Sequence, residues 1–184
     1  LQRQILHKES RLGQNKAVSA AKSLHGLNAQ VHVQTYSQFM DGAHLRQVLP
    51  DYDIVIDATD QLENKFLIND VCVSAEKPFV HGGITGFSGQ VMTYVPEKGP
   101  CYRCIFGEVP EDNAPAPIPV IGVTAGIIGT IQAAEAIRYL LGIPSLLTGK
   151  LLVLDGLRMQ FRTVSFPHVS EHCPLHTRKG VTDL

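Results

Sequence analysis

Two cysteine-containing pairs carry the most specific chemical signal in this chain. Cys101 and Cys104 are separated by two residues in "CYRC", and Cys173 and His176 repeat that gap far downstream in "CPLH". Two such turns can supply four tetrahedral ligands, three thiolates and one imidazole, to a structural metal site. His168 and His172 are further candidates for the nitrogen ligand. A redox pair is the alternative reading of "CYRC". It expects the motif at the start of a helix that follows a strand. Two core thiols are a third. In this chain the pair follows Gly99 and Pro100 and leads into a proline-rich stretch. Cys72, in "NDVCVSA", reads as a buried core residue.

Asp57, Thr59 and Asp60 end an apolar run, "DIVIDATD". In open α/β sheets ligands bind beyond the carboxyl ends of the strands. Carboxylates there can hold a hard cation such as Mg²⁺, which bridges phosphate oxygens. The competing role for Asp60 is to cap the next helix. Arg3 and Arg11 precede the first expected helix, and Lys16 lies in its first turn, where a cation opposes the helix dipole. Lys16 therefore either extends into water or meets an external anion. Glu135, among apolar neighbours in "AAEAI", reads as hydrogen-bonded within the structure.

These residues must be positioned by the elements around them. Residues 14–27 place Ala17, Ala20, Ala21, Leu24 and Leu27 at helical spacing and predict an amphipathic helix. "VHVQTYS" from Val31 alternates as a strand does. "GAHLRQVLP" predicts a short helix stopped by Pro50. Ile54, Val55 and Ile56 predict a strand buried on both faces. "QLENKFLINDVCVSAEK" has helical periodicity, and "PFVHGG" and "SGQVMTYVP" follow as strands. Residues 107–119 carry four prolines and predict an exposed loop. "VTAGIIGTIQAAEAIRYLLG" predicts a helix that is apolar nearly all round and ends at Gly142, buried between a sheet and something else, such as a second subunit. "GKLLVLDG" and "MQFRTVSF" pair as a hairpin. The alternation argues for a doubly wound α/β layer.

Composition narrows the function classes. With 184 residues the chain suits one domain with a sizeable core. Its formal charge of -1 favours neither nucleic acid nor an anionic membrane as partner. No apolar run approaches the ~20 residues that span a bilayer. Four cysteines do not make a disulfide scaffold, so a cytoplasmic location is expected. The chain opens "LQRQILHKES", without Met, as the middle of a longer protein would.

Taken together, the motifs resemble the ThiF/MoeB/HesA family, the bacterial adenylating enzymes of thiamin and molybdopterin biosynthesis related to the ubiquitin-activating enzyme. "LQRQIL" resembles the family's N-L-x-R-Q turn. "GQNK", with Gly13 and Lys16, resembles its G-x-x-K pair, and "DATDQ" its D-x-[ST]-D-N strand end. "FLINDVC", "KPFVHGGITGFSGQV", "PCYRCIF", "GIIGTIQAAEAIR" and "CPLH" follow in the family's order.

The resemblance implies a Rossmann-like, doubly wound and mainly parallel sheet with C-terminal antiparallel strands. Residues 1–184 would form one domain, the larger C-terminal part of an adenylating unit whose glycine-rich βαβ part and ribose-binding acid lie upstream. It implies ATP-dependent adenylation of the C-terminal carboxylate of a small ubiquitin-like sulfur carrier. Arg3, Lys16 and Asp60 would be catalytic, and Leu1, Gln2, Arg3, Lys16, Asp60 and Gln61 would bind the nucleotide with Mg²⁺. A structural Zn²⁺ would sit on Cys101, Cys104, Cys173 and His176, in a homodimer.

Three departures stand out. Gln61 replaces the usual Asn, His176 replaces the fourth Cys, and "NAPAPIPVIG" lacks the reactive Cys of the thiamin branch. The last departure points to adenylation only, with sulfur supplied by another protein. Two rival classes are a different Rossmann-type enzyme, such as a dehydrogenase, and a non-catalytic homologue that binds a partner. The first leaves both ligand pairs unexplained.

Overall fold

The computed structural model describes residues 1–109 and 119–176. Five helices and five strands are assigned among them. Helix α1 (Lys16–Leu27) starts where Asn15 Oδ1 accepts the Ala17 and Val18 amides, and α2 (Gly42–Val48) where Asp41 does the same for Ala43 and His44. These are side-chain caps of the first, otherwise unpaired helix amides. Pro50 lies in the 3₁₀ turn Leu49–Asp51 that ends α2, as its fixed φ and missing N–H require. Strand β1 (Val55–Asp57), helix α3 (Leu62–Ser74) and strand β2 (Phe79–Thr85) form a β–α–β unit with parallel strands. Strand β3 (Ser88–Tyr94), the short helix α4 (Tyr102–Phe106), the long helix α5 (Gly122–Leu140) and the hairpin β4 (Lys150–Asp155) and β5 (Gln160–Ser165) follow.

The strands form one mixed sheet in the order β1-β2-β3-β4-β5. The β1–β2 pair is parallel and the other three pairs are antiparallel. Side chains alternate between the two faces of a strand. Phe79, Met92 and Tyr94 therefore face α3 and α4 in one buried cluster, while Val80, Val91 and Leu154 face α5 in the other. The sheet is thus covered by helices on both sides.

Three sequence expectations are corrected. Residues 31–37 form no strand, because no strand pairs with them among the described residues. β1 is consequently an edge strand, and Ile56 is 47% exposed rather than buried on both faces. Helix α1 forms as predicted, yet Leu27 is 80% exposed and Ser19 is its buried residue. The helix is held by polar contacts: Arg11 donates to the Ser19 carbonyl, and His7 Nδ1 lies 3.0 Å from Ser19 Oγ. Helix α5 seats Thr124, Ile128, Gln132 and Ala136 on the sheet and leaves Val123, Ile137 and Leu140 exposed. No helix among the described residues is long and apolar enough to cross a membrane.

Candidate functional site

The two ligand pairs meet. The ligand atoms of Cys101, Cys104, Cys173 and His176 all lie within 4.8 Å of one another. Cys101 Sγ is 3.7 Å from both Cys104 Sγ and Cys173 Sγ. That is far beyond a disulfide bond, and it matches the sulfur spacing of a tetrahedral centre with metal–sulfur bonds of about 2.3 Å. His176 Nε2 is buried with no hydrogen-bond partner in the described structure. An orphaned, buried imidazole nitrogen beside three sulfurs fits a metal ligand. The hydrogen bond from Cys101, with the Ser170 backbone amide, holds the Cys104 thiol down to about 5 against the effect of burial. A thiolate is therefore favoured in the cluster at neutral pH. His168 and His172, the reserve candidates, are exposed. Cys72 is 1% exposed, and burial pushes its thiol up to about 12, as suits an inert core residue.

Helix α3 holds this knuckle in place. Cys101, the N-cap residue of α4, offers that helix no side-chain cap. Instead Asn69 Oδ1, fully buried on α3, accepts the Tyr102 amide at 2.8 Å. The next residue, Asp70, accepts two hydrogen bonds from Arg103, at 2.6 and 2.7 Å. Arg103 also lies over the Phe66 ring at 4.8 Å. The "ND" of "FLINDVC" thus grips the "YR" of "CYRC", one by a cap and one by a forked ion pair. Tyr102 packs edge-on against Phe66 and lies 4.6 Å, centroid to centroid, from His81.

His81 belongs to a buried charged cluster at the end of β1. Asp57 Oδ2 accepts from His81 Nδ1 at 2.8 Å and from Lys65 Nζ at 3.3 Å, and its Oδ1 accepts from the Thr59 amide and hydroxyl. Lys65 also donates to the Gly82 carbonyl at 2.8 Å. Burial opposes the charged form of Asp57, but the His81 hydrogen bond and the Lys65 charge prevail and hold its carboxyl down to about 2. Burial lowers the Lys65 ammonium and the His81 imidazole despite Asp57. With Nδ1–H given to Asp57, His81 is neutral and its Nε2 faces the Gln90 amide. From the other face of the sheet, Gln132 on α5 donates to the Asp57 and Val80 carbonyls at 2.7 and 3.2 Å. It reaches them only because Gly82 has no side chain: a Cβ there would lie 2.4 Å from the Gln132 amide.

This cluster corrects the reading of Asp57 as a cation ligand. All its capacity is turned inward, and the residue is 1% exposed. Asp60 is different. It is exposed in the turn before α3, and the N-cap of that helix is Gln61, so Asp60 does not cap it. Arg3 lies in the exposed turn 1–4, and Lys16 is the exposed first residue of α1. Leu1, Gln2 and Gln61 are exposed too. Among the described residues, no hydrogen bond or ion pair joins Arg3, Lys16 and Asp60 to one another. Glu135 is internally bonded as expected, to Thr93, Leu147 and Arg138.

The chain is similar to known proteins over most of its length. A family description, "ThiF family", matches residues 1–175. The chain belongs to the ThiF family. It is 40% identical to the SAMP-activating enzyme E1 of Haloferax volcanii, covering 100% of this chain and 68% of that protein. It is 38% identical to the adenylyltransferase and sulfurtransferase MOCS3 of Culex quinquefasciatus, over 94% of this chain and 40% of that one. A crystal structure of E. coli MccB with ATP superposes with a TM-score of 0.81 at 22% identity, covering 95% of this chain and 54% of that one. The ThiF-family chain thus spans about two thirds of the archaeal relative and less than half of the mosquito one.

Sequence reasoning passed over Lys65, His81, Asn69, Asp70 and Gln132. Their signal was present: each is a polar or charged residue inside an otherwise apolar element. Such residues are retained inside only when they find partners.

Proposed function

We propose that the protein containing this chain uses ATP to adenylate the C-terminal carboxylate of a small ubiquitin-like sulfur carrier. The similarity to the SAMP-activating enzyme, which runs the full length of this chain, carries the reading. The reaction needs little from the protein in acid–base terms, because a carboxylate is already a nucleophile. It attacks the α-phosphate, the acyl-adenylate forms and pyrophosphate leaves. Alignment and neutralisation of charge on the phosphate oxygens remain for the enzyme to supply. Arg3 and Lys16 would neutralise that charge, with Leu1, Gln2 and Gln61 lining the nucleotide. Asp60 would hold Mg²⁺, which would supply positive charge to offset that of the phosphates.

The exposure of Arg3, Lys16 and Asp60 supports this assignment. Cations without internal partners are free to meet a triphosphate, and Lys16 at a helix start has no dipole reason to be there. Cys101, Cys104, Cys173 and His176 would hold Zn²⁺. Four protein ligands leave no open position, so the metal is structural. The absence of cysteine from residues 113–122 favours adenylation without a covalent sulfur step on this loop, of which 110–118 lie outside the described residues. We also read residues 1–184 as one domain and the protein as a cytoplasmic homodimer. The exposed Val123, Ile137 and Leu140 of α5 support the dimer.

The test is carrier-dependent ATP–pyrophosphate exchange by the full-length protein. Exchange should require the carrier and Mg²⁺, and Lys16→Ala or Asp60→Ala should abolish most of it. Undiminished exchange in both variants would overturn the assignment. Purified protein should contain about one zinc per chain.

A further inference from the structure

Gln2 and helix α5 meet across 120 positions of the sequence. Residues 1–4 form a turn closed by the Gln4 amide on the Leu1 carbonyl at 3.1 Å, with Arg3 as its third residue. Helix α5 begins at Gly122, and its N-cap residue, Ile121, has no side-chain acceptor. The first amides of a helix lack partners within it. Gln2 supplies one. Its Oε1 accepts the Gly122 N–H at 2.7 Å, and its Nε2 donates to the Val120 carbonyl at 2.9 Å. The main chains close on the same spot. A Cβ on Gly122 would lie 2.3 Å from the Gln2 carbonyl oxygen, so glycine alone admits the turn.

The start of α5 is itself well anchored. Thr124 Oγ1 donates to the Gly86 carbonyl at 2.9 Å, and the Gly86 amide donates to the Pro119 carbonyl at 2.7 Å. Further along the same helix, Gln132 grips the Asp57 carbonyl at the end of β1, three residues before Asp60. One helix thus touches the Arg3 turn at its first residue and, at Gln132, the end of β1 that leads into the Asp60 turn.

We propose that Gln2 is a positioning residue, which caps α5 and thereby fixes the Arg3 turn relative to the turn that carries Asp60. The proposal rests on the nucleotide reading of Arg3 and Asp60. It also refines the expected role of Gln2. Both ends of its side-chain amide are engaged by α5, so the side chain acts on the nucleotide through Arg3.

The experiment is a double-mutant cycle on the full-length protein, read as MgATP affinity by calorimetry. Gln2→Ala should weaken MgATP binding roughly tenfold, the scale of a lost helix cap. Arg3→Ala should weaken it further, and the Gln2→Ala/Arg3→Ala pair should bind no worse than Arg3→Ala alone. Gln2→Glu keeps the acceptor for Gly122 and should recover part of the loss. Gly122→Ala displaces the turn from the opposite side and should show the same non-additivity with Arg3→Ala. Hydrogen exchange at the Gly122 amide should accelerate in Gln2→Ala. Unchanged exchange, or losses that simply add in the cycle, would overturn the positioning role while leaving adenylation intact. A wild-type protein that does not bind MgATP would overturn the adenylation reading and this one with it.

Discussion

The Cys/His knuckle and the exposed turns that carry Arg3, Lys16 and Asp60 are held by opposite means. Around the knuckle the supporting side chains have protein partners, since Asn69 accepts the Tyr102 amide and Asp70 forks Arg103, and the four candidate ligand atoms lie within 4.8 Å of one another. Arg3, Lys16 and Asp60, proposed to meet the nucleotide, are exposed, and among the described residues no hydrogen bond or ion pair joins them. The knuckle is preorganised by its own chain. The exposed turns are preorganised only as turns, through Gln2, Asn15 and the Asp57 cluster, and their side chains are left for a ligand to gather. A structural site must be satisfied without a partner, whereas a binding site must leave charge unsatisfied until one arrives.

The most severe way to break this contrast is to remove the proposed zinc. Metal binding to such sites carries on the order of 10 kcal/mol of folding free energy. A chelator should therefore expose residues 101–106 and 173–176 to proteolysis and hydrogen exchange, while exchange in α1 and α2 stays as it was. Next is Lys65→Met, which leaves the Asp57 carboxylate buried without its cation. A loss of about 3–5 kcal/mol is expected in denaturant unfolding. The effect should appear at both regions, since the cluster lies between them. Arg3→Ala should lower carrier-dependent exchange by about 10²–10³-fold. Its thermal midpoint should not move, because Arg3 has no hydrogen-bond or ion-pair partner to lose among the described residues. Asn69→Ala should show the converse: about 1–3 kcal/mol of stability lost for an uncapped, buried Tyr102 amide, with exchange kinetics kept wherever the protein is folded.

The smallest effect concerns pH. Burial lowers the folded His81 below its ordinary value. Below about pH 6.5 the unfolded chain binds a proton that the folded one refuses. Stability therefore falls as pH drops from 7 toward 5, and His81→Gln should show a shallower decline in thermal midpoint over that range. Asp57 behaves in the same sense at lower pH. Its contribution is complete above about pH 4 and is lost as pH falls toward about 2.

Local patterns were legible where one short segment carries the whole signal. The paired ligands at a two-residue gap, the helix of residues 62–74 and the 150–165 hairpin could be read directly, because turn geometry and side-chain period act within a few residues. Residues 31–37 misled because alternation describes a strand's faces and says nothing of its neighbour. Ile56 misled for the same reason, since burial on both faces needs a second strand beside β1. Leu27 followed the helical period but found no surface to cover.

The sequence by itself determined the ligand types, their spacing, the helix and strand periods and the family to which the chain belongs, because each resides in residue identity and order. Only the tertiary structure decided that Asp57 turns inward to Lys65 and His81 while Asp60 stays in water, and that Gln2 caps a helix 120 residues away. Those outcomes depend on which buried polar groups find partners across the fold, and partners distant in sequence leave no local trace.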